Sequence, residues 1–299
     1  MTRYAFIGLG NMGGPMAVNL SKAREGVVAF DLSEAARARV QAQGCATAGD
    51  LEAVARDAEV IVSMLPAGRH VRDVYETVRG CAAPGAVFID CSTIDVGAAR
   101  ETARLAADAG FAMVDAPVSG GVAAATAAGL TFMVGGDASA FERAHPVLET
   151  MGKAVIHAGR PGAGQAAKIC NNMLLGISMI GTCEAFVLAE KLGLEADRFF
   201  EIASKASGQC WSVTSYCPVP GPVPAAPSNR DYVPGFAAAM MLKDLRLAQD
   251  AAQSSGAVTP LGAQAQAIYA LFDAMGGGAV DFSGIIKMLS GEWGLETDS

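Results

Sequence analysis

The stretch Tyr4-Ala5-Phe6-Ile7-Gly8-Leu9-Gly10-Asn11-Met12-Gly13 organises everything that follows it. Four residues of strand character lead into three glycines at the spacing GxGxxG, after which Pro15, Met16, Ala17, Val18 and Leu20 carry a helical pattern. In such a unit Gly8 permits the tight turn, Gly10 opens the backbone to a pyrophosphate, and Gly13 lets helix and strand pack closely, with the phosphates at the helix N-terminus. About 20 residues on, where this kind of unit places an acid, Val27-Val28-Ala29-Phe30 ends in Asp31, positioned to accept hydrogen bonds from an adenosine ribose. Strand, turn, helix and acid together predict a dinucleotide site. Asp31 repels a 2′-phosphate, the next residue is Leu32 where an arginine would compensate, and Arg37 is the nearest arginine downstream, so NAD is expected over NADP.

From this unit the alternation continues, with strand-like runs at 58–65, 86–90, 111–116, 130–134 and 154–157 separated by amphipathic stretches. That pattern predicts an α/β fold with a doubly wound, mostly parallel Rossmann sheet. Beyond 162 the apolar period becomes helical, over 166–192, 196–205, 236–254, 260–275 and 282–289, and an all-helical second domain is expected. The division is drawn at 1–161 and 162–299. Between the helices, residues 217–234 hold Pro218, Pro220, Pro222, Pro224, Pro227 and Pro234, too many for helix or central strand, and read as an ordered loop over a cleft. A tail from Gly291 reads as disordered.

Composition narrows the partners. The 22 Lys and Arg against 30 Asp and Glu give a net charge of −8, which disfavours nucleic acid and anionic membrane, so an acidic substrate needs a local basic site. Seven cysteines, an odd number without CxxC spacing, indicate neither a disulfide framework nor a zinc site, and place the chain in a reducing compartment, the cytoplasm. No signal peptide is visible, because the first apolar run leads straight into the glycines. The stretch 170–189 is apolar, but Asn171, Asn172 and Glu184 interrupt it, and it reads as a buried central helix.

Within that helix Lys168 and Asn172 stand at i and i+4, so one face presents an ammonium and an amide together. Burial pulls a lysine from its ordinary pKa of about 10.4 toward neutrality, as proton transfer requires; the helix alone fits a snorkelling lysine equally. In a doubly wound sheet, ligands bind beyond the carboxyl ends of the strands, and three loops there qualify. Leu65 and Pro66 follow one strand, in an extended turn suited to lie against the cofactor or simply to end the strand. Thr93 follows another, to meet the nicotinamide end or to cap the helix that begins at Asp95. Ser119, Gly120 and Gly121 follow a third and offer a hydroxyl and accessible N–H groups to a carboxylate. The three histidines, His70, His145 and His157, read as structural, without an evident orienting carboxylate; Lys168 is preferred for proton transfer, with Lys243 second.

Taken together, the glycine turn, the 115–121 loop, the Gly162 to Asn172 run and Lys243-Asp244 resemble the β-hydroxyacid dehydrogenase family along almost the whole chain. The resemblance implies a Rossmann domain joined to a helical one, homodimers or homotetramers, and an active site between domains without a metal. By motif position Lys168 would be the catalytic lysine with Asn172 as substrate ligand, and Ser119, Gly120 and Gly121 the substrate carboxylate site. Lys243 would join Gly8, Gly10, Asn11, Met12, Gly13, Asp31, Leu65, Pro66 and Thr93 around NAD, while Trp211, Ser212, Tyr216 and Asp244 line or support the pocket. The segment from Trp211 to Phe236 most resembles members acting on (S)-3-hydroxyisobutyrate, implying its oxidation to methylmalonate semialdehyde in valine catabolism. Other members act on L-serine, tartronate semialdehyde or succinic semialdehyde. A noncatalytic dinucleotide-binding scaffold is the reading from a different class, against which Lys168 and Asn172 stand.

Overall fold

A computed structural model describes residues 2–294. The chain folds into two compact units, Met1–Lys168 and Ile169–Ser299, each packed chiefly within itself. The division therefore falls inside the helix Ala163–Lys191, whereas the change in sequence pattern lies at 161/162.

The first unit is a nine-stranded sheet: β1 (Tyr4–Ile7), β2 (Val27–Phe30), β3 (Ala46–Thr47), β4 (Val60–Ser63), β5 (Val87–Asp90), β6 (Ala112–Asp115), β7 (Val118–Ser119), β8 (Leu130–Gly135) and β9 (Gly152–Gly159). The order is β3-β2-β1-β4-β5-β6-β8, with β7 and β9 both paired to β8. All pairs from β3 to β6 are parallel; only β8 against β6 and against β7 is antiparallel. Strand order reverses between β1 and β4, and the glycine turn leaves β1 at that point.

Continuous apolar strands suit a sheet covered on both faces. Successive residues therefore enter two cores: Phe6, Val62, Ile89 and Val114 pack on one side with Met16, Leu20 and Leu148, while Ala5, Ile7, Ile61, Phe88 and Met113 pack on the other with Val54, Tyr75 and Ile94. Ser33, Asp50 and Asp95 cap their helices by accepting from the backbone N–H groups of Ala36, Ala53 and Ala98. Strands β3 and β7, Ala46–Thr47 and Val118–Ser119, are absent from the sequence reading because two residues are too few to form an apolar run.

The second unit contains, among the described residues, helices and one isolated bridge between Ala237 and Asp281. Helices Ala238–Ser255 and Pro260–Ala274 enclose a core of Met179, Cys183, Met241, Leu245, Tyr269, Phe272 and Phe282. The helix Ala163–Lys191 is long and apolar enough to cross a membrane, a test that core helices also pass; its Met179, Ile180, Cys183 and Phe186 are buried in this core. The proline-rich segment is held by its own bonds: Ser228 Oγ donates to Cys217 O (2.8 Å), Tyr232 OH to Pro218 O (2.7 Å), and Asn229 Nδ2 to Val223 O (2.9 Å). Contrary to the expectation of disorder from Gly291, the Trp293 indole donates to Met275 O at 2.9 Å and meets Phe272 edge-on. The remainder of that tail, 295–299, lies outside the described residues.

Candidate active site

Each glycine of the first turn has a distinct steric duty. Gly8 sits at φ +96°, and a Cβ there would lie 2.2 Å from Met64 O; a Cβ on Gly13 would lie 2.0 Å from Gly8 O. A Cβ on Gly10 would meet nothing within 4 Å, so the turn is closed toward the protein and open toward a ligand at this one position. No side chain caps the helix Gly13–Ala23; Gly14 N donates to Gly10 O at 3.0 Å and Pro15 has no N–H, so in the first turn it is the Gly13 N–H that is left to an anion. These residues fit a dinucleotide pyrophosphate.

Asp31 also holds the turn itself. Its Oδ2 accepts from Leu9 N at 2.6 Å and its Oδ1 from Ser33 N at 2.8 Å. Arg37 is committed to the Asp31 carbonyl at 2.5 Å, and Leu32 is 91% exposed. The arginine that reaches the glycine turn is Arg39, 3.5 Å from Leu9 O, in a cavity of about 190 Å³ shared with Gly10, Asn11 and Gln43. Arg39 was missed because it approaches from a following helix, away from the strand end where a compensating arginine is sought.

Beneath the loops after β4 and β5 runs a buried polar chain. Asp90 Oδ1 accepts from Ser63 Oγ (2.7 Å), Ser92 Oγ (2.6 Å) and Ser92 N (3.2 Å), and Ser92 Oγ accepts from Leu65 N (2.8 Å). Asp90 Oδ2 is buried without a hydrogen-bond partner. Burial, only partly offset by these donors, pushes the carboxyl from its ordinary 3.8 up to about 6. The folded chain thus binds this proton more tightly than the unfolded chain, so Asp90 lowers stability as pH rises from about 4 to about 6, by about 3 kcal/mol in all. Asp90→Asn is expected to gain stability relative to the unmodified protein over that window, as measured by denaturant unfolding across pH. Parallel stability curves would sink the assignment. Asp95 caps the helix Val96–Asp108, so Thr93 does not serve as that cap.

After β6 the chain forms the two-residue strand Val118–Ser119 and then two glycines at φ +136° and +70°. A Cβ on Gly120 would lie 2.6 Å from Ala124 Cβ. Ser119 is thereby held at the end of a paired strand with glycine backbone beside it, in place of the open loop expected.

The helix that carries Lys168 is anchored from the same loop. Asp115 accepts from Gly162 N at 2.7 Å and Gln165 N at 2.9 Å, and those N–H groups restrain the rise in its pKa that burial causes. Gly164 leaves no room for a side chain: its Cβ would lie 2.3 Å from Met133 O. Lys168 is 7% exposed and Asn172, one turn further, 2%. In the second unit Asn172 Nδ2 donates to Asp244 Oδ2 at 2.5 Å, and Asn172 Oδ1 accepts from Asn171 Nδ2 at 3.1 Å, so the amide orientation is set. Lys243 Nζ lies 4.0 Å from Asp244 Oδ1; burial lowers the Lys243 pKa while Asp244 opposes the shift. Trp211, 50% exposed, stacks on Tyr216 at 4.8 Å, and Tyr216 stacks in turn on Phe282 and donates to Asp281 Oδ2 at 2.9 Å. Ser212 is buried in the short helix Trp211–Thr214.

The histidines take part in packing. His157 stacks on Phe141 at 4.6 Å, its Nε2 2.8 Å from Gly136 O, and His70 is half-buried. His145 does have a carboxylate, Glu149 Oε2 at 3.5 Å, one helical turn away on the surface. Among the described residues no group of three or more His, Cys, Asp or Glu is placed to hold a metal, and all seven cysteines are free.

Two family models cover nearly all of the chain: the NAD-binding domain of 6-phosphogluconate dehydrogenase over residues 3–159, and the NAD-binding domain of NADP-dependent 3-hydroxyisobutyrate dehydrogenase over 162–289. A probable 3-hydroxyisobutyrate dehydrogenase of Mycobacterium tuberculosis is 50% identical across 97% of this chain and 98% of its own length. The chain belongs to the 3-hydroxyisobutyrate dehydrogenase family. It is accordingly an NAD-binding oxidoreductase with a Rossmann sheet and a helical second domain. Family members of different name are almost equally similar. In Pseudomonas aeruginosa, a 3-hydroxyisobutyrate dehydrogenase is 48% identical over 98% of this chain and 100% of its own, and an NAD-dependent L-serine dehydrogenase 47% identical over 96% and 98%. The solved structure of the Mycobacterium tuberculosis 3-hydroxyisobutyrate dehydrogenase with L-serine superposes at a TM-score of 0.93, with 50% identity over 97% of this chain and 99% of that one.

Proposed function

We propose that the protein oxidises (S)-3-hydroxyisobutyrate to methylmalonate semialdehyde with NAD. The observation that carries the chemistry is the buried lysine and amide one turn apart, Lys168 and Asn172, the latter fixed by Asp244 and Asn171. NAD, when bound at the glycine turn, supplies the hydride acceptor for the carbinol carbon. Lys168 Nζ, neutral, takes the hydroxyl proton, and Asn172 holds the hydroxyl or the lysine in line. Ser119, Gly120 and Gly121 bind the carboxylate, and Trp211 with Tyr216 forms an apolar wall for the methyl group. Positioning does much of the work. Leu65, Pro66, Thr93 and Lys243 complete the cofactor contacts in this reading, and valine breakdown is the setting that the substrate implies. Leu174 and Leu188, both exposed on the helix Ala163–Lys191, offer apolar surface suited to a homodimer or homotetramer.

L-Serine is the second reading, favoured by the near-equal similarity to an L-serine dehydrogenase. NADH and NADPH formation measured in parallel with 3-hydroxyisobutyrate, L-serine and tartronate-class substrates separates the two. The expected kcat/KM ratio of 3-hydroxyisobutyrate to L-serine is at least about tenfold, because an ammonium against an apolar wall loses hydration without a partner. NAD is expected to outperform NADP. Ser119→Ala should weaken all carboxylate substrates alike, whereas Trp211→Ala should change the ratio between them. A preference for L-serine, or a ratio indifferent to Trp211, would leave the family intact and overturn the substrate.

A further inference from the structure

The side chain of Gln165 is fully buried, and both ends of its amide are used. Nε2 donates to Ser92 O at 2.7 Å and Oε1 accepts from Ile94 N at 3.1 Å, so one amide grips the backbone on either side of Thr93. The backbone N–H of the same residue donates to Asp115 Oδ2 at 2.9 Å, and Asp115 opens the loop that leads to Ser119. Lys168 follows three residues along the helix. Three segments distant in sequence, 92–94, 115–119 and 162–168, are therefore tied together at one residue of the first unit. The tie extends further, because Ser92 also holds Leu65 N through its hydroxyl.

We infer that Gln165 is a positioning residue for the reaction, holding the Thr93 loop in register with Lys168. The inference rests on the proposed reading of Lys168 and Thr93 as site residues. A helix packed by apolar contacts alone would slide or rotate against the strand ends by fractions of a turn, and geometry near 1 Å matters to transfer of a hydride and a proton in one complex. A buried primary amide with both donor and acceptor engaged removes that freedom, since any shift leaves Ser92 O or Ile94 N unsatisfied in the interior. Neither leucine nor methionine supplies such a grip.

Two variants test the inference, read with NAD and whichever hydroxy acid the unmodified protein turns over best. Gln165→Leu is expected to lower kcat by about 30- to 100-fold while the Kd for NAD changes less than about threefold, and to raise the deuterium isotope effect of a substrate labelled at the carbinol carbon. Gln165→Glu keeps an acceptor for Ile94 N but turns a second oxygen toward Ser92 O. Only its protonated form restores the donor, and burial together with the Asp115 carboxylate raises the pKa of the new carboxyl. Its kcat should acquire a descending limb as pH rises, absent from the unmodified protein and from Gln165→Leu. Of the titratable groups nearby, Asp115 accepts from the backbone N–H of residue 165, Asp90 accepts from Ser92, Arg100 packs at Gly162, and Lys168 follows on the same helix; all of them are unchanged in the variants. Thermal unfolding of each variant separates loss of fold from loss of position. If Gln165→Leu does not fold, the pH profile of Gln165→Glu carries the test; if neither folds at any pH, Gln165 belongs to the fold and the inference is wrong. A Gln165→Leu kcat within about threefold of the unmodified value, against the ~10²-fold expected for a misplaced group, would also overturn it. Retained turnover in Lys168→Ala would defeat the proposed site, whereas dependence on Lys168 with indifference to Gln165 would defeat this inference alone.

Discussion

Lys168→Ala is expected to lose at least about two orders of magnitude in kcat for hydroxy-acid oxidation, the scale of a general acid–base contribution, with little change in NAD affinity. The site makes the substitution clean. Lys168 lies inside the helix Ala163–Lys191, where alanine is the best helix former, and the N-terminus of that helix is held by Asp115 through Gly162 N and Gln165 N, which the change leaves in place. Lys168→Arg should be no better, since a guanidinium keeps its proton at any pH the protein withstands and cannot accept one from substrate. Near-normal steady-state turnover in Lys168→Ala would remove this residue from the mechanism.

Two alanines three residues apart should both weaken cofactor binding, but only one of them should also lower stability. At Gly13 a Cβ would fall 2.0 Å from Gly8 O and 3.2 Å from Met64 Cβ, so backbone has to move; Gly13→Ala is expected to cost about 1–3 kcal/mol or more of stability as an overpacked site, and NAD affinity with it. At Gly10 a Cβ touches nothing in the protein, so Gly10→Ala should unfold at nearly the original temperature. Its methyl group instead occupies the space through which a pyrophosphate approaches the backbone, and the Kd for NAD should rise by about tenfold or more, a loss of about 1.4 kcal/mol or more. Calorimetric NAD titration beside thermal unfolding reads both quantities. Unchanged NAD affinity in Gly10→Ala would place the cofactor elsewhere.

The glycine turn, the strands of four or more residues, the acid at the end of β2 and the long helix with Lys168 and Asn172 were all legible in the order of residues, because each depends on a local requirement: a φ open only to glycine, a continuous apolar run of strand length, a spacing of i and i+4. The grouping of Ser119 with Gly120 and Gly121 was legible for the same reason, as was the change from strand to helix near 162. His145 and Glu149 were equally local, four residues apart on one helix, and were overlooked. What sequence order did not contain are the contacts that join separate segments. Strands β3 and β7 exist only as partners of longer strands. Arg39 meets the glycine turn 30 residues from Leu9, Asp115 caps a helix 47 residues further on, Gln165 grips a loop 73 residues before it, and Asn172 is oriented by an aspartate 72 residues after it. Nothing in the local pattern marks such residues, since a buried amide or carboxylate is tolerated only when distant backbone or side-chain groups satisfy it, and those groups come within reach only once the chain has folded.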